Sequence, residues 1–300
     1  MVPGSSPGRE ADPLPAHSCC LLDLIVQAPE IGAAQLGTIA DLAKAQGIHV
    51  LHGGDQQAYR LTRVASRAGV PEACRETSWD WAFVDADMRL DSVRVVAMDM
   101  DSTLITIECV DEIADFLGIK PEVAAITASA MRGEIDFAAS LTRRVALLAG
   151  LPVATLERVY DERLRLSAGA ERMLAGFKRV GAKTLLVSGG FTFFTERLRT
   201  RLGLDEAMAN VLEVEDGKLT GRISGGVVDA NAKAQRLQMM RECYASDGGL
   251  VIAIGDGAND VPMMKRADVS IAYHAKSIVR AEAIYAIDYC GLDAVLNLFD

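Results

Sequence analysis

Three short apolar runs in this chain end in the same manner, and no other feature restricts the fold as much. Val93–Met98, apolar but for Arg94, gives way to Asp99-Met100-Asp101-Ser102-Thr103. Thr184–Val187 runs into Ser188-Gly189-Gly190, and Leu250–Ile254 into Gly255-Asp256-Gly257-Ala258-Asn259-Asp260. A continuous apolar run is the mark of a strand buried on both faces, as in a parallel sheet. Polar residues and glycines at the carboxyl ends of such strands are where open α/β sheets place ligands. Further runs at Val269–Ala272 and, more weakly, Ala286–Tyr289 alternate with helical patterns at Ala170–Val180, Thr192–Leu202, Lys233–Tyr244 and Val261–Ala267. This alternation predicts an α/β fold with a doubly wound parallel sheet. Asp216-Gly217, between Asn210–Glu215 and Lys218–Ile223, predicts a hairpin.

Two regions depart from the alternation. Between about Thr106 and Leu166 no strand is evident, only helical pattern broken at Gly118-Pro121, Gly133 and Gly150-Pro152. Several helices between the first two strands of a sheet predict an inserted helical cap at about 106–166. Ahead of the sheet, Leu21–Val26, Ile31–Gln46 and Ile48–Leu51 have a β-α-β look, with a weaker strand at Tyr59–Val64. The expected organisation is a disordered tail at 1–18, a small N-terminal α+β region at 19–90, and a catalytic domain at 91–300. Trp79, Trp81 and Phe83 are expected to pack the small region onto the catalytic domain.

Composition excludes several classes of function. Of 300 residues half are hydrophobic, and the net charge is −10. Both sides of residue 90 are acidic, which disfavours a nucleic-acid partner. No apolar run approaches the about 20 residues needed to span a bilayer, and residues 1–18 lack the pattern of a signal peptide. Six cysteines without a CxxC pair suit a reducing, cytoplasmic compartment.

Convergence of the three polar clusters would bring Asp99, Asp101, Asp256 and Asp260 within a few ångströms. Carboxylates so close cannot all stay ionised without a counter-cation. An oxygen-rich site of this kind suits Mg²⁺, which binds through one or two carboxylates plus a phosphate. Ser188 and the N–H groups around Gly189, before a helix, make an anion-binding turn. Lys233, at a helix start, is a candidate to balance the charge, although on sequence alone a helix lysine is usually a solvated one.

In this order, Asp99-x-Asp101-Ser-Thr, Ser188-Gly-Gly, Lys233 and Gly255-Asp256-Gly-Ala-Asn259-Asp260 resemble the motifs of the haloacid dehalogenase superfamily. Residues 93–300 resemble, more narrowly, its phosphoserine-hydrolysing branch, which performs the last step of serine biosynthesis. Met98–Leu104, Glu108, Asp111–Ala114, Phe137, Ser140-Leu141, Arg143–Val145, Val187–Phe191, Asp216–Gly221 and Asn231–Lys233 carry that resemblance. It implies a magnesium-dependent phosphoric monoester hydrolase with a Rossmann-like core. Asp99 would be the nucleophile that becomes phosphorylated, and Asp101 the general acid and base. Mg²⁺ would be held by Asp99, the Asp101 carbonyl and Asp256, with Asn259 and Asp260 supporting the site. Ser188, Gly189 and Lys233 would hold the phosphoryl oxygens.

The resemblance also implies a small-molecule substrate, phosphoserine, whose ammonium and carboxylate would meet Glu108 and Arg144. Met131 and Phe137 would close over it. Read without the resemblance, Glu108 is more readily a helix-start carboxylate, Arg144 a surface base, and Met131 and Phe137 core packing. A homodimer is compatible with the reading. Three alternatives stand beside it: a related phosphatase or phosphotransferase for another small phosphomonoester, a phospho-accepting signalling domain, and a truncated amino-acid-binding (ACT-like) regulatory module at the N-terminus. His274, after the fourth strand run, is read as structural.

Overall fold

The structure is a computed structural model that describes residues 21–51 and 54–300. The tail expected at 1–18 lies outside the described residues, as do Cys19 and Cys20. In chain order the N-terminal unit contains β1 (Leu22–Ala28), α1 (Ala33–Ala43), β2 (Gly47–Leu51), β3 (Gln57–Thr62), α2 (Val70–Thr77) and β4 (Asp80–Asp85). The strand β5 (Val93–Met98) follows, and then the helices α3 (Cys109–Leu117), α4 (Lys120–Met131), α5 (Phe137–Ala146) and α6 (Val153–Arg158). The remainder comprises α7 (Ala170–Arg179), β6 (Lys183–Phe191), α8 (Thr192–Leu202), β7 (Glu206–Glu215), β8 (Lys218–Ser224), α9 (Ala230–Tyr244), β9 (Leu250–Gly255), α10 (Val261–Met264), β10 (Val269–Tyr273), α11 (Ser277–Glu282) and β11 (Tyr285–Ile287).

The larger sheet has the order β11-β10-β9-β5-β6-β7-β8. It is parallel except for β8, which turns back on β7 at Asp216-Gly217. Alternate residues of the central strands feed two cores. Val96, Met98, Ile252 and Ile254 join Phe177, Phe194 and Leu198 on one face. Val95, Ala97, Leu185, Val187, Val251 and Ala253 join Ala234, Leu237 and Met240 of α9 on the other. Burial of both faces explains the unbroken apolar runs. The chain winds from β5 outward through β6 to β8, then returns to the other side of β5 for β9. Strand order therefore reverses between β5 and β9, where such sheets open a crevice at their carboxyl ends.

Between Ile105 and Leu166, which form an isolated bridge, the chain is helical and rises above that carboxyl edge. It is anchored to the β7–β8 hairpin: Gly150 N–H donates to Leu219 O, and Leu219 N–H donates to Leu151 O. The end of α5 lies so close to β8 that a Cβ on Gly221, whose φ is +80°, would sit 3.2 Å from the Ala146 carbonyl oxygen and 2.9 Å from the Cβ of Ala149 just beyond the helix. Among the described residues no helix is long and apolar enough to cross a membrane.

The N-terminal unit holds two elements that the sequence pattern does not reveal. Helix α2 and strand β4 complete a β-α-β-β-α-β unit with an antiparallel sheet in the order β2-β3-β1-β4. β1 lies inside this sheet and is buried on both faces. Leu24 and Val26 meet Leu36, Ile39, Val70 and Cys74, whereas Ile25 joins the core of the larger domain with Ala82 and Val84. The expectation for the tryptophans needs correction. Trp79 is buried in the small unit's own core, and Trp81 and Phe83 pack against that core; the residues that join the larger core are Ile25, Ala82 and Val84. A polar latch accompanies them. The buried Asp80 carboxylate accepts N–H bonds from Asp288 (2.7 Å) and Cys290 (2.9 Å) just after β11. This turn explains why β11 ends at Ile287, earlier than the run Ala286–Tyr289 suggested.

Candidate active site

Because β6, β5 and β9 are neighbours, the three polar clusters meet at one edge. Asp99 is the first residue beyond β5, and its N–H continues the ladder to Ile254 O. Its carboxylate is almost wholly buried. Oδ1 accepts the Met100 N–H at 2.7 Å and lies 2.8 Å from Lys233 Nζ. The fully buried Lys233 ammonium is also 2.8 Å from Asp260 Oδ1, so it bridges two carboxylates from different loops. Burial opposes its charge, but Asp260 and Asp99 override this and hold its pKa above the ordinary lysine value. Asp229 starts α9 by accepting the Ala232 N–H, which fixes where Lys233 projects.

After Asp99 the chain makes a tight turn in which Ser102 has φ +57°, a conformation uncommon for a residue other than glycine. The Ser102 hydroxyl donates to Glu108 Oε1 at 2.9 Å. The turn brings the Asp101 carboxylate back toward the first N–H of α3, that of Cys109, at 3.4 Å. Burial first, and then the nearby Glu108 carboxylate, push the Asp101 carboxyl up to about 7. Asp256 accepts a 2.8 Å hydrogen bond from the buried Thr103 hydroxyl, yet burial and the Asp260 charge still raise it to about 6. Asp99 is raised well above the usual carboxylate range by burial and by Asp260.

Asp99, Asp256 and Asp260 each offer an oxygen within 4.8 Å of one another, a donor set that could hold a metal ion. Hard carboxylate oxygens suit Mg²⁺ or Ca²⁺, and burial followed by the Asp260 charge raises Asp99 and Asp256. This has a measurable consequence. An aspartate raised from its unfolded value near about 4 stabilises the fold fully at low pH, and that contribution is lost as pH rises through 6 to 7. Millimolar Mg²⁺ added to chelator-treated protein should then raise the melting temperature by several degrees at about pH 8 and by much less at about pH 5. An equal shift at both pH values would count against a carboxylate site.

Ser188 ends the apolar part of β6 and is 1% exposed. Its Oγ accepts the Gly190 N–H at 2.8 Å. A Cβ on Gly190 would lie 3.1 Å from Asp101 Oδ2, a tight contact that would push the two loops slightly apart. The turn is also tied from behind. The buried Asn210 donates through Nδ2 to Gly189 O (2.8 Å) and Gly190 O (3.2 Å), and accepts the Val228 N–H (2.8 Å) through Oδ1.

The helical insertion closes over this edge. Phe137, the first residue of α5, stands on Gly189, where a Cβ would be 2.9 Å from the ring's Cζ. One and two turns further along that helix are Ser140 and Arg144. Arg144 is half-buried, and its Nε is buried without a hydrogen-bond partner. Burial lowers its pKa, while Asp111, Glu108 and Asp101 are near enough to raise it. Glu108 is exposed at the start of α3, and Asn259 is half-buried beside Gly257. Met131 ends α4, but its side chain lies outside the described residues. Sequence reasoning gave no role to Thr103 or Asn210: the first was one of a motif string, the second the start of a hairpin strand. His274 bonds through Nε2 to Cys290 O and stays outside the site.

A family model for haloacid dehalogenase-like hydrolase matches residues 96–265, and one for a domain of unknown function matches residues 24–70. A phosphoserine phosphatase of Polaromonas sp. is 52% identical over 71% of this chain and 92% of its own length. One from Mycobacterium tuberculosis is 36% identical over 89% of this chain and 68% of its own. The solved structure of a probable phosphoserine phosphatase from Vibrio cholerae superposes with TM-score 0.80 and 34% identity, covering 92% of this chain and 85% of that one. With more than half its length inside the family model and such close relatives over two thirds of it, the chain belongs to the haloacid dehalogenase-like hydrolases, in their phosphoserine phosphatase family.

Proposed function

We propose that this chain hydrolyses O-phosphoserine to serine and phosphate, in a Mg²⁺-dependent reaction through a phosphorylated Asp99. The observation that carries the reading is the contrast between two aspartates one residue apart. Asp99 is clamped through Oδ1 by Lys233 and the Met100 N–H. Asp101, pushed up to about 7, can hold or release a proton near neutral pH. One is built as a nucleophile and the other as an acid and base.

In the first half of the reaction Asp99 attacks phosphorus, the bond to the serine oxygen breaks, and Asp101 gives that oxygen its proton. In the second half Asp101 takes a proton from water, the water oxygen attacks phosphorus, and the bond to Asp99 breaks. The Ser188 hydroxyl, the Gly189 N–H and the Lys233 ammonium would hold the phosphoryl oxygens throughout. Mg²⁺, held by Asp99, Asp256 and the Asp101 carbonyl with Asn259 and Asp260 in support, would supply charge that offsets the transferring phosphoryl group. Phe137 over Gly189 would keep bulk water from the phosphoryl group until serine has left. The Arg144 guanidinium suits a bidentate carboxylate, and Glu108 opposite suits an ammonium.

The test is phosphate release from a panel of phosphomonoesters with and without Mg²⁺. Phosphoserine should be strongly preferred, and chelation should remove activity. Arg144→Ala should lower kcat/KM for phosphoserine by ~10²-fold, a lost charged contact of about 3 kcal/mol, while sparing an aryl phosphate. Equal losses on both substrates would make Arg144 a structural residue.

A further inference from the structure

The Ser188-Gly189-Gly190 turn could present its groups to a phosphate in either sense. A serine hydroxyl both donates and accepts, and a glycine peptide flips readily. The structure removes that freedom with one side chain outside the turn. Asn210, near the middle of β7, is 1% exposed and uses both ends of its amide. Its Nδ2 holds the carbonyls of Gly189 and Gly190, and its Oδ1 accepts the Val228 N–H. Val228 precedes Asp229, the residue that starts the helix carrying Lys233.

The consequence follows from the planarity of the peptide bond. In a trans peptide the C=O of residue 189 and the N–H of residue 190 point in opposite directions. With Gly189 O held by Asn210, the Gly190 N–H must face the other way, where it donates to Ser188 Oγ at 2.8 Å. Once the serine oxygen accepts that bond, its own proton is free for an acceptor. We infer that Asn210 is a positioning residue that sets Ser188 as a hydrogen-bond donor toward the phosphoryl oxygens and holds the Ser188 turn in register with the start of the Lys233 helix. The chain of bonds runs from Val228 through Asn210, the Gly189–Gly190 peptide and Ser188 to the substrate, and Asn210 itself touches no reacting atom.

This inference rests on the phosphatase reading, and a double-mutant cycle separates the two. Asn210→Asp keeps the shape and the acceptor for Val228 but sets a carboxylate oxygen against two carbonyls. It should lower kcat/KM for phosphoserine by ~10- to 100-fold, the usual cost of losing an outer partner of a site residue. The inhibition constant of inorganic phosphate should weaken with it. Ser188→Ala should cost ~10²-fold or more. If Asn210 acts through Ser188, adding Asn210→Asp to Ser188→Ala should cost less than threefold more, since coupled residues are not additive. Thermal melts would ensure that each variant is assayed well below its own transition. Should Asn210→Asp not fold, the smaller Asn210→Ser takes its place in the same cycle. Losses that multiply, or an unchanged phosphate inhibition constant, would overturn the inference. A wild-type enzyme without phosphatase activity would instead overturn the reading beneath it.

Discussion

Asp99→Asn should reduce phosphoserine turnover by at least ~10⁴-fold, in the range seen when a nucleophile is removed from a concerted site. The change exchanges one carboxylate oxygen for an amide nitrogen and alters no volume. Lys233 keeps its 2.8 Å contact with Asp260, so the buried ammonium is not left unpaired. The Asp99 carboxyl is itself raised well above the usual range by burial and by the Asp260 charge, and a neutral amide carries no such cost of ionisation. Thermal stability should therefore stay close to wild type, which isolates the chemical effect. Two measurements decide it. Steady-state phosphate release reads the loss, and acid quenching after mixing with ³²P-phosphoserine reads the label trapped on protein. Wild type should carry acid-stable, alkali-labile label and the variant none. Turnover within a hundredfold of wild type would remove Asp99 from the nucleophile's role.

Much of the architecture could be read from the sequence because the larger sheet buries both faces of its strands. That burial writes itself as unbroken apolar runs, and each run's end marks a loop at the carboxyl edge. Asp99, Ser188 and Asp256 could be placed together on that basis. Their strand order could not, because it depends on the return of the chain across β5 after β8. The N-terminal unit was harder to read because its elements are short. β4 offers only the four apolar residues Trp81–Val84 between Asp80 and Asp85, and they divide between two cores, Ala82 and Val84 toward the larger one and Trp81 and Phe83 toward the other. Helix α2 has only eight residues and begins at a Val-Pro pair that reads as a turn.

In the site, the first contacts were legible and their supports were not. Asp101 stands in a recognisable string, but its titration near 7 needs the burial and the Glu108 carboxylate that folding supplies. Thr103 acts through one side-chain hydrogen bond and Asn210 through three, all to groups distant in sequence. Neither spacing nor residue type announces a bond of that kind. Arg144 is intermediate: its position on α5 fits a solvated face, and only the buried, unpartnered Nε distinguishes it.

Lys233→Met should be the most destabilising single change at the site as well as one that stops catalysis. The lysine is 0% exposed and contacts Asp99 and Asp260 at 2.8 Å each. Methionine matches its stem but removes the charge, leaving two buried carboxylates facing each other. Breaking a buried ion pair from one side costs about 3–5 kcal/mol. The strain is relieved when one carboxyl takes up a proton, and a protonated Asp99 is a poor nucleophile. Activity should fall by at least ~10³-fold, since a phosphoryl-oxygen partner is lost as well. The pH dependence identifies the cause. Without the ammonium, which holds it down, the Asp99 carboxyl is pushed higher still in the folded protein, so the variant's stability is best retained at low pH and lost as pH rises. Urea unfolding should show a deficit relative to wild type that is small near about pH 5 and several kcal/mol near about pH 8. A deficit of the same size at both pH values would mean that Lys233 contributes packing alone. The electrostatic role assigned to it between Asp99 and Asp260 would then fall.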